Sequence, residues 1–366
     1  MKNRRLTLAM LAIFGIATIF TGCKKDEEVK GNKLPARFKV DIPSSLSKNN
    51  GQKKSVNIDT LKGNEIYQNL NTFIYVGESA ADLVQAIMYS ISVNNIDHAM
   101  DITYTSNEDY RVKHLVVVEN SGFENLTYQF QLTITDKLSE NAADGGKALQ
   151  VFWNTNPIKG IAIVKPYNCN RGQNAGYPDA LYRIDYSEAG ELGYNSHMIV
   201  AIAGLPVASP LTDPYSMSSL KMFAGKNGDN IDVYGNSEHP NAKFFTNETG
   251  FNWAFVASSS ESDNIGVAEV GLPSDSINST DRNVLLKDNS IHNVFESQIL
   301  YTWPNINSTD LANYLQNTSA PGYFNSTGFI QGGTSPGAQW DALYTRTEAL
   351  TPYSPLEMKN LVISFK

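Results

Sequence analysis

Tyr128-Gln129-Phe130-Gln131-Leu132-Thr133-Ile134-Thr135 alternates apolar and polar side chains without a break. A period of two puts each set on its own face of an extended chain, so the stretch reads as a β-strand with one dry face and one wet face. The same alternation recurs in Leu149, Val151 and Trp153, in Tyr182, Ile184 and Tyr186, and in Phe251, Trp253 and Phe255. Leu115 to Val118, Ile161 to Val164 and Met198 to Ala203 are apolar on both faces and predict more central strands. Asn120-Ser121-Gly122, Asp144-Gly145-Gly146 and Asn227-Gly228 are turn signals between these runs. The last lies between Leu220–Ala224 and Ile231–Tyr234, the pattern of a hairpin.

Roughly ten strands thus follow one another with short connections, which favours antiparallel pairing, because parallel strands need long crossovers. The expected fold is a β-rich α+β body. Its core is an antiparallel meander, either a curved sheet or a barrel, with a two-sheet sandwich as the alternative. An amphipathic helix over Glu78 to Val93 should pack on it, because Ala80, Leu83, Val84, Ile87 and Ile91 form one apolar stripe. Ser79 is its expected N-cap, and Glu65 to Leu70 predicts a separate short helix. Ser290 to Trp303 reads as a helix stopped by Pro304, and Asp310 to Leu315 as a second. Residues 317–338, rich in Gly, Asn, Ser, Thr and Pro, predict a long loop. Phe38 to Ile42 and the alternation of Leu361, Ile363 and Phe365 predict two further strands, the last of them closing the chain.

The start of the chain carries a different signal. Lys2, Arg4 and Arg5 precede an almost wholly apolar run from Leu6 to Phe20, and Phe20-Thr21-Gly22-Cys23 follows. A positive end, a short apolar stretch and small residues before a cut define a secretory signal. The cysteine at the cut resembles the lipobox of bacterial lipoproteins, with Phe20 where Leu is more usual. The resemblance implies cleavage before Cys23 and acylation of that residue, and several acyl chains hold a protein durably to a membrane. Lys25, Asp26, Glu27 and Glu28 resemble the surface-export signal of Bacteroidetes lipoproteins. They imply an outer-membrane protein, lipid-anchored and facing outward. Asp59-Thr60-Leu61 and Asp275-Ser276-Ile277 resemble the short O-glycosylation site of exported proteins in the same group, which makes Thr60 and Ser276 candidate acceptors.

The expected organisation follows. Residues 1–22 are a signal peptide, and 23–55 the lipidated cysteine with a flexible tether. Residues 56–272 are a β-rich body with an early helix. Residues 273–366 hold C-terminal helices, a long loop and a closing strand of the same domain.

Composition narrows the partners. The net charge is −8, and the leader would remove three positive charges and no acid. An acidic body argues against nucleic acid, whose phosphates require a basic patch. Of the two cysteines, Cys23 is committed to lipid, so Cys169 has no partner for an intramolecular disulfide. None of the five histidines forms a close pair at metal-ligand spacing, and no metal or cofactor is expected. Asp229, Asn230 and Asp232 cluster at a turn but miss the EF-hand pattern. Gly333-Thr334-Ser335-Pro336-Gly337 fits G-x-S-x-G, yet His292, the last histidine, precedes the serine. Ser45 to Lys48 and Ser218 to Lys221 fit S-x-x-K without the partner motifs.

The chain is also rich in aromatics, which stack on sugars and line pockets as well as filling β cores. Tyr323 and Trp340, in or beside the expected loop, are the candidate ligand contacts. The expected role is a binding or structural module whose ligand is a glycan, a protein or an apolar molecule. The alternatives are an apolar-ligand carrier with a barrel or half-barrel cavity, and a glycan-active hydrolase, which would need two carboxylates at a set separation.

Overall fold

The computed structural model describes residues 37–49, 63–93, 99–209, 213, 215–242 and 250–366. The signal peptide, Cys23, Lys25, Asp26, Glu27, Glu28 and Thr60 lie outside the described residues. Among the described residues thirteen strands, neighbours in chain order throughout, form one antiparallel meander that does not close into a barrel. A two-sheet sandwich is therefore not the architecture. No helix among the described residues is long and apolar enough to cross a membrane.

The chain divides into two compact units. Of the described residues, one comprises Arg37 to Lys39, those within Ser79–Leu205 and Val362–Lys366; the other comprises those within Val40–Glu78 and Pro206–Leu361. The first holds β1 (Met100–Thr105), β2 (Val112–Phe123), β3 (Leu126–Asp136), β4 (Lys147–Thr155), β5 (Ile158–Val164), β6 (Leu181–Ser187) and β7 (Ser196–Ala203). The opening alternation is β3, and its dry face is as expected: Tyr128, Phe130 and Leu132 are buried. The expected turn at Asn120-Ser121-Gly122 is instead strand, because β2 runs on to Phe123 with Asn120 at a φ of 54°. The reversal falls at Glu124 and Asn125, whose φ values of 49° and 63° suit a tight hairpin.

The second unit holds β8 (Ser219–Asn227), β9 (Asn230–His239), β10 (Phe251–Ser260), β11 (Ile265–Gly271), β12 (Gly322–Asn325) and β13 (Gly328–Gly332). The β8–β9 hairpin forms as read, with Asn227 opposite Asn230 around Gly228 at a φ of 61°. In β10 every residue is buried, polar positions included. The reason is a second layer: Leu285, Leu286 and Leu350 pack on Ala254 and Val256, on the face that alternation assigned to water.

Residues 63–93 are one helix, α1, rather than two. Its first part, through Glu78, belongs to the second unit and the remainder to the first. Ser79 is thus mid-helix and not a cap. The apparent break at Gly77 is a close approach, since a Cβ there would lie 2.7 Å from Met222 Cε and 3.0 Å from Leu220 Cδ2 on β8. Ile66, Leu70 and Ile74 extend the buried stripe before it, and Ala80, Leu83, Val84 and Ile87 after it.

Three further expectations change. Residues 317–338 are not a single loop: they contain the β12–β13 hairpin and end on the first residue of a helix, Ala338–Thr347. Leu361, Ile363 and Phe365 belong to no strand, although Ile363 is buried. Phe38, Val40 and Ile42 are buried without strand pairing, and Leu46 is also buried, so part of the expected tether packs on the body.

Candidate functional site

Helix α2 (Ile291–Thr302) starts at Ser290, whose Oγ accepts a hydrogen bond from the Asn293 amide at 3.2 Å. It buries Ile291, Phe295 and Ile299, one residue per turn, while Asn293, Ser297 and Leu300 to Thr302 are exposed. Pro304 cannot continue it, so the chain turns at Trp303. The Ile306 amide donates to the Trp303 carbonyl at 3.0 Å and closes that turn. Asn307 then caps α3 (Ser308–Tyr314): its Oδ1 accepts from the Asp310 amide at 2.9 Å, and its Nδ2 donates to Asp310 Oδ2 at 2.6 Å.

Helix α3 has no buried residue. Seven residues in water do not hold a helix by propensity, and most helices are held by a packed apolar face. Here the side-chain supports are the Asn307 cap, the half-buried Leu311 and the ring of Tyr314, whose centroid is 5.8 Å from that of Trp303 at an interplanar angle of 22°. Trp303 is 41% exposed and Tyr314 42% exposed. With Ile306, Asp310 and Asn313 they line an open cleft of about 390 Å³. Leu300 and Tyr301 lie exposed just before Trp303 in the chain. The cleft offers aromatic faces, one carboxylate and one amide. Its lining includes no histidine, serine, cysteine or second carboxylate.

A second site lies in the first unit. Leu83 and Ile87 of α1, with Tyr104, Ile134, Leu149 and Cys169, line a mostly apolar cavity of about 50 Å³. That is room for a few waters at most, not for an acyl chain. Beside it, Lys113 is fully enclosed. Its Nζ lies 3.0 Å from Asp109 Oδ2 and 3.5 Å from Asp136 Oδ2, and donates to the Asn168 carbonyl at 2.8 Å. Arg111 grips Asp136 through two nitrogens, at 2.5 and 3.0 Å. Burial pushes the Asp136 carboxyl up. The Arg111 hydrogen bond and the charges of Lys113, Arg111 and Arg171 outweigh this and hold it below the usual carboxylate range. Cys169 is only half-buried as a residue, but burial of its thiol pushes the pKa up to about 12. A thiol held in that form is a poor nucleophile. The charges of this network are paired, and it reads as a staple.

The sequence candidates fall elsewhere. Tyr323 lies in β12 and is 3% exposed, packed among Ile265, Val267 and Leu343. Trp340, half-buried on the helix Ala338–Thr347, packs on that cluster and donates its indole N–H to the Phe324 carbonyl at 3.0 Å. Ser276 is exposed in a turn, with its Oγ 2.8 Å from that of Ser274. Ser335 Oγ accepts from the Gly337 amide within a loop that follows β13, not at a strand-to-helix elbow. Asp229 is engaged by Ser260 and Ser262, and Asp232 by Arg346 and Ser258. Among the described residues no group of histidine, cysteine or acidic side chains is placed to hold a metal.

The sequence marks Trp303 as the end of a helix stopped by Pro304 and not as a ligand contact. The available signal was Trp303-Pro304, an aromatic placed at a helix stop, with Tyr314 on the following helix. No protein-family model matches the chain, and no curated protein or solved structure matches it.

Proposed function

We propose that this chain is a lipid-anchored outer-membrane lipoprotein, displayed on the cell surface, whose folded body acts as a binding module. The anchor rests on the sequence around Cys23, and the export on Lys25 to Glu28. The binding role rests on one observation. Helix α3 has no fully buried residue and yet is capped and held in place, so that two aromatic rings, a carboxylate and an amide share one open cleft. The small cavity under α1 gives no support to carriage of a lipid, and a cleft with one carboxylate gives none to glycoside hydrolysis.

The test of the anchor is an intact mass on protein purified from membranes. The expected product starts at Cys23 and carries acyl chains. A product cleaved elsewhere, or with Cys23 unmodified, overturns the reading.

A further inference from the structure

We infer that the Trp303–Tyr314 cleft binds an uncharged hexopyranose unit of a glycan. The inference rests on the binding-module reading and gives it a ligand class.

Size comes first. A volume of about 390 Å³ lies at the small end of ligand sites and suits one or two sugar rings better than a folded partner. Charge comes second. The lining contains Asp310 and no lysine or arginine, in a chain of net charge −8, so a phosphate, a uronate or a sialate would meet repulsion.

Surface chemistry comes third. A pyranose has apolar C–H faces and a polar hydroxyl rim. The open surfaces of Trp303 and Tyr314 match the faces. Asp310 and Asn313 match the rim: a carboxylate accepts from hydroxyls, and an amide both donates and accepts. Asp310 Oδ2 takes the Asn307 Nδ2 bond, which orients the carboxylate and leaves Oδ1 as the further acceptor. An acyl chain would leave these polar groups unpaired, at a cost for each. The geometry is preformed, since Asn307 fixes α3 before any ligand arrives.

Saturation-transfer NMR on the mature chain without its lipid, residues 32–366, tests the inference. The probes are maltose, cellobiose, lactose and N,N′-diacetylchitobiose, with sialic acid and glucuronic acid as charged controls. Saturation of ring protons in at least one neutral disaccharide is expected, with none in the acids. Trp303→Ala and Tyr314→Ala should each weaken that binding at least tenfold, and Tyr314→Phe should retain it. Both alanine variants also remove the ring contact that supports α3, so Trp303→Phe is a second control: like Tyr314→Phe it keeps a stacked ring and should retain binding, and loss of binding in both phenylalanine variants overturns the inference. Trp340→Phe, altered in the core packing, should bind as the parent does.

Silence from all four neutral sugars overturns the inference, and so does binding that survives both alanine variants or favours the acids. A failure here with Cys23 acylated leaves the lipoprotein reading intact. Sugar binding with Cys23 unmodified leaves the cleft and removes the anchor.

Discussion

Lys113 and Asp109 form an ion pair inside the protein: Nζ and Oδ2 are 3.0 Å apart, and the two side chains are 2% and 3% exposed. Desolvating both ions is costly, and their attraction offsets that only while the pair is whole. Lys113→Met leaves Asp109 uncompensated and removes one of the cations around Asp136, and should cost about 3–5 kcal/mol. The double variant Lys113→Met/Asp109→Asn should recover part of that loss. Urea denaturation of the four proteins checks this. Strictly additive losses would show that the pair is not coupled.

His239 should make the body acid-sensitive. Its ring is enclosed by Phe73 and Trp253, with Nδ1 3.1 Å from the Tyr215 carbonyl and Nε2 2.8 Å from Ser237 Oγ. Burial pushes its pKa down to about 3, so it folds neutral. The unfolded chain takes up a proton below about pH 6.5, which the folded chain refuses. This contribution is therefore complete above that pH and is lost as pH falls toward 3, at up to about 1.4 kcal/mol per unit. His239→Gln should flatten the stability profile between those limits, whatever its stability at neutral pH. An unchanged slope would count against the assignment.

Two glycines should respond differently to alanine. At Gly271 a Cβ would lie 1.8 Å from the Leu285 carbonyl oxygen, which is backbone and cannot swing aside. Gly271→Ala should cost at least about 3 kcal/mol, at the upper end of overpacking. Gly145, at a φ of 63°, would bring no new contact, so Gly145→Ala should cost only the left-handed strain of about 1–2 kcal/mol. Thermal melts separate the two. Equal losses would mean that the packing around Gly271 yields.

Cys169 should resist modification. With a pKa near 12 and its Sγ 3.4 Å from the Ala148 carbonyl, it holds its proton at neutral pH. In the chain without Cys23, iodoacetamide at pH 8 should label it only after denaturation. Rapid labelling of the native protein would show an exposed thiolate.

The sheet was legible because its signal is local. Alternation in Tyr128–Thr135 and paired runs around Gly228 identify strands without reference to the rest of the chain. What failed depends on distant packing. Gly77 looks like a helix break until Met222 and Leu220 stand beside it. The alternation in β10 marks one dry face, but Leu285 and Leu286 dry the other as well. Tyr323 looked like a loop aromatic because β12 and β13 are only four and five residues long and rich in turn-forming neighbours, and Trp340 because its helix starts only two residues earlier, after a run rich in Gly, Ser and Pro. The cleft was hardest to see. It needs Trp303 and Tyr314 in contact, and their meeting is decided by the Pro304 turn and the Asn307 cap rather than by any spaced motif.

The central claim is that this body faces outward on a membrane. Proteinase K added to intact cells tests it most directly. Expected is loss of the full-length protein from untreated-permeability cells, while periplasmic markers survive and a variant with Lys25, Asp26, Glu27 and Glu28 all changed to alanine is protected. Full protection of the parent protein, with digestion only after the outer membrane is opened, would contradict the claim.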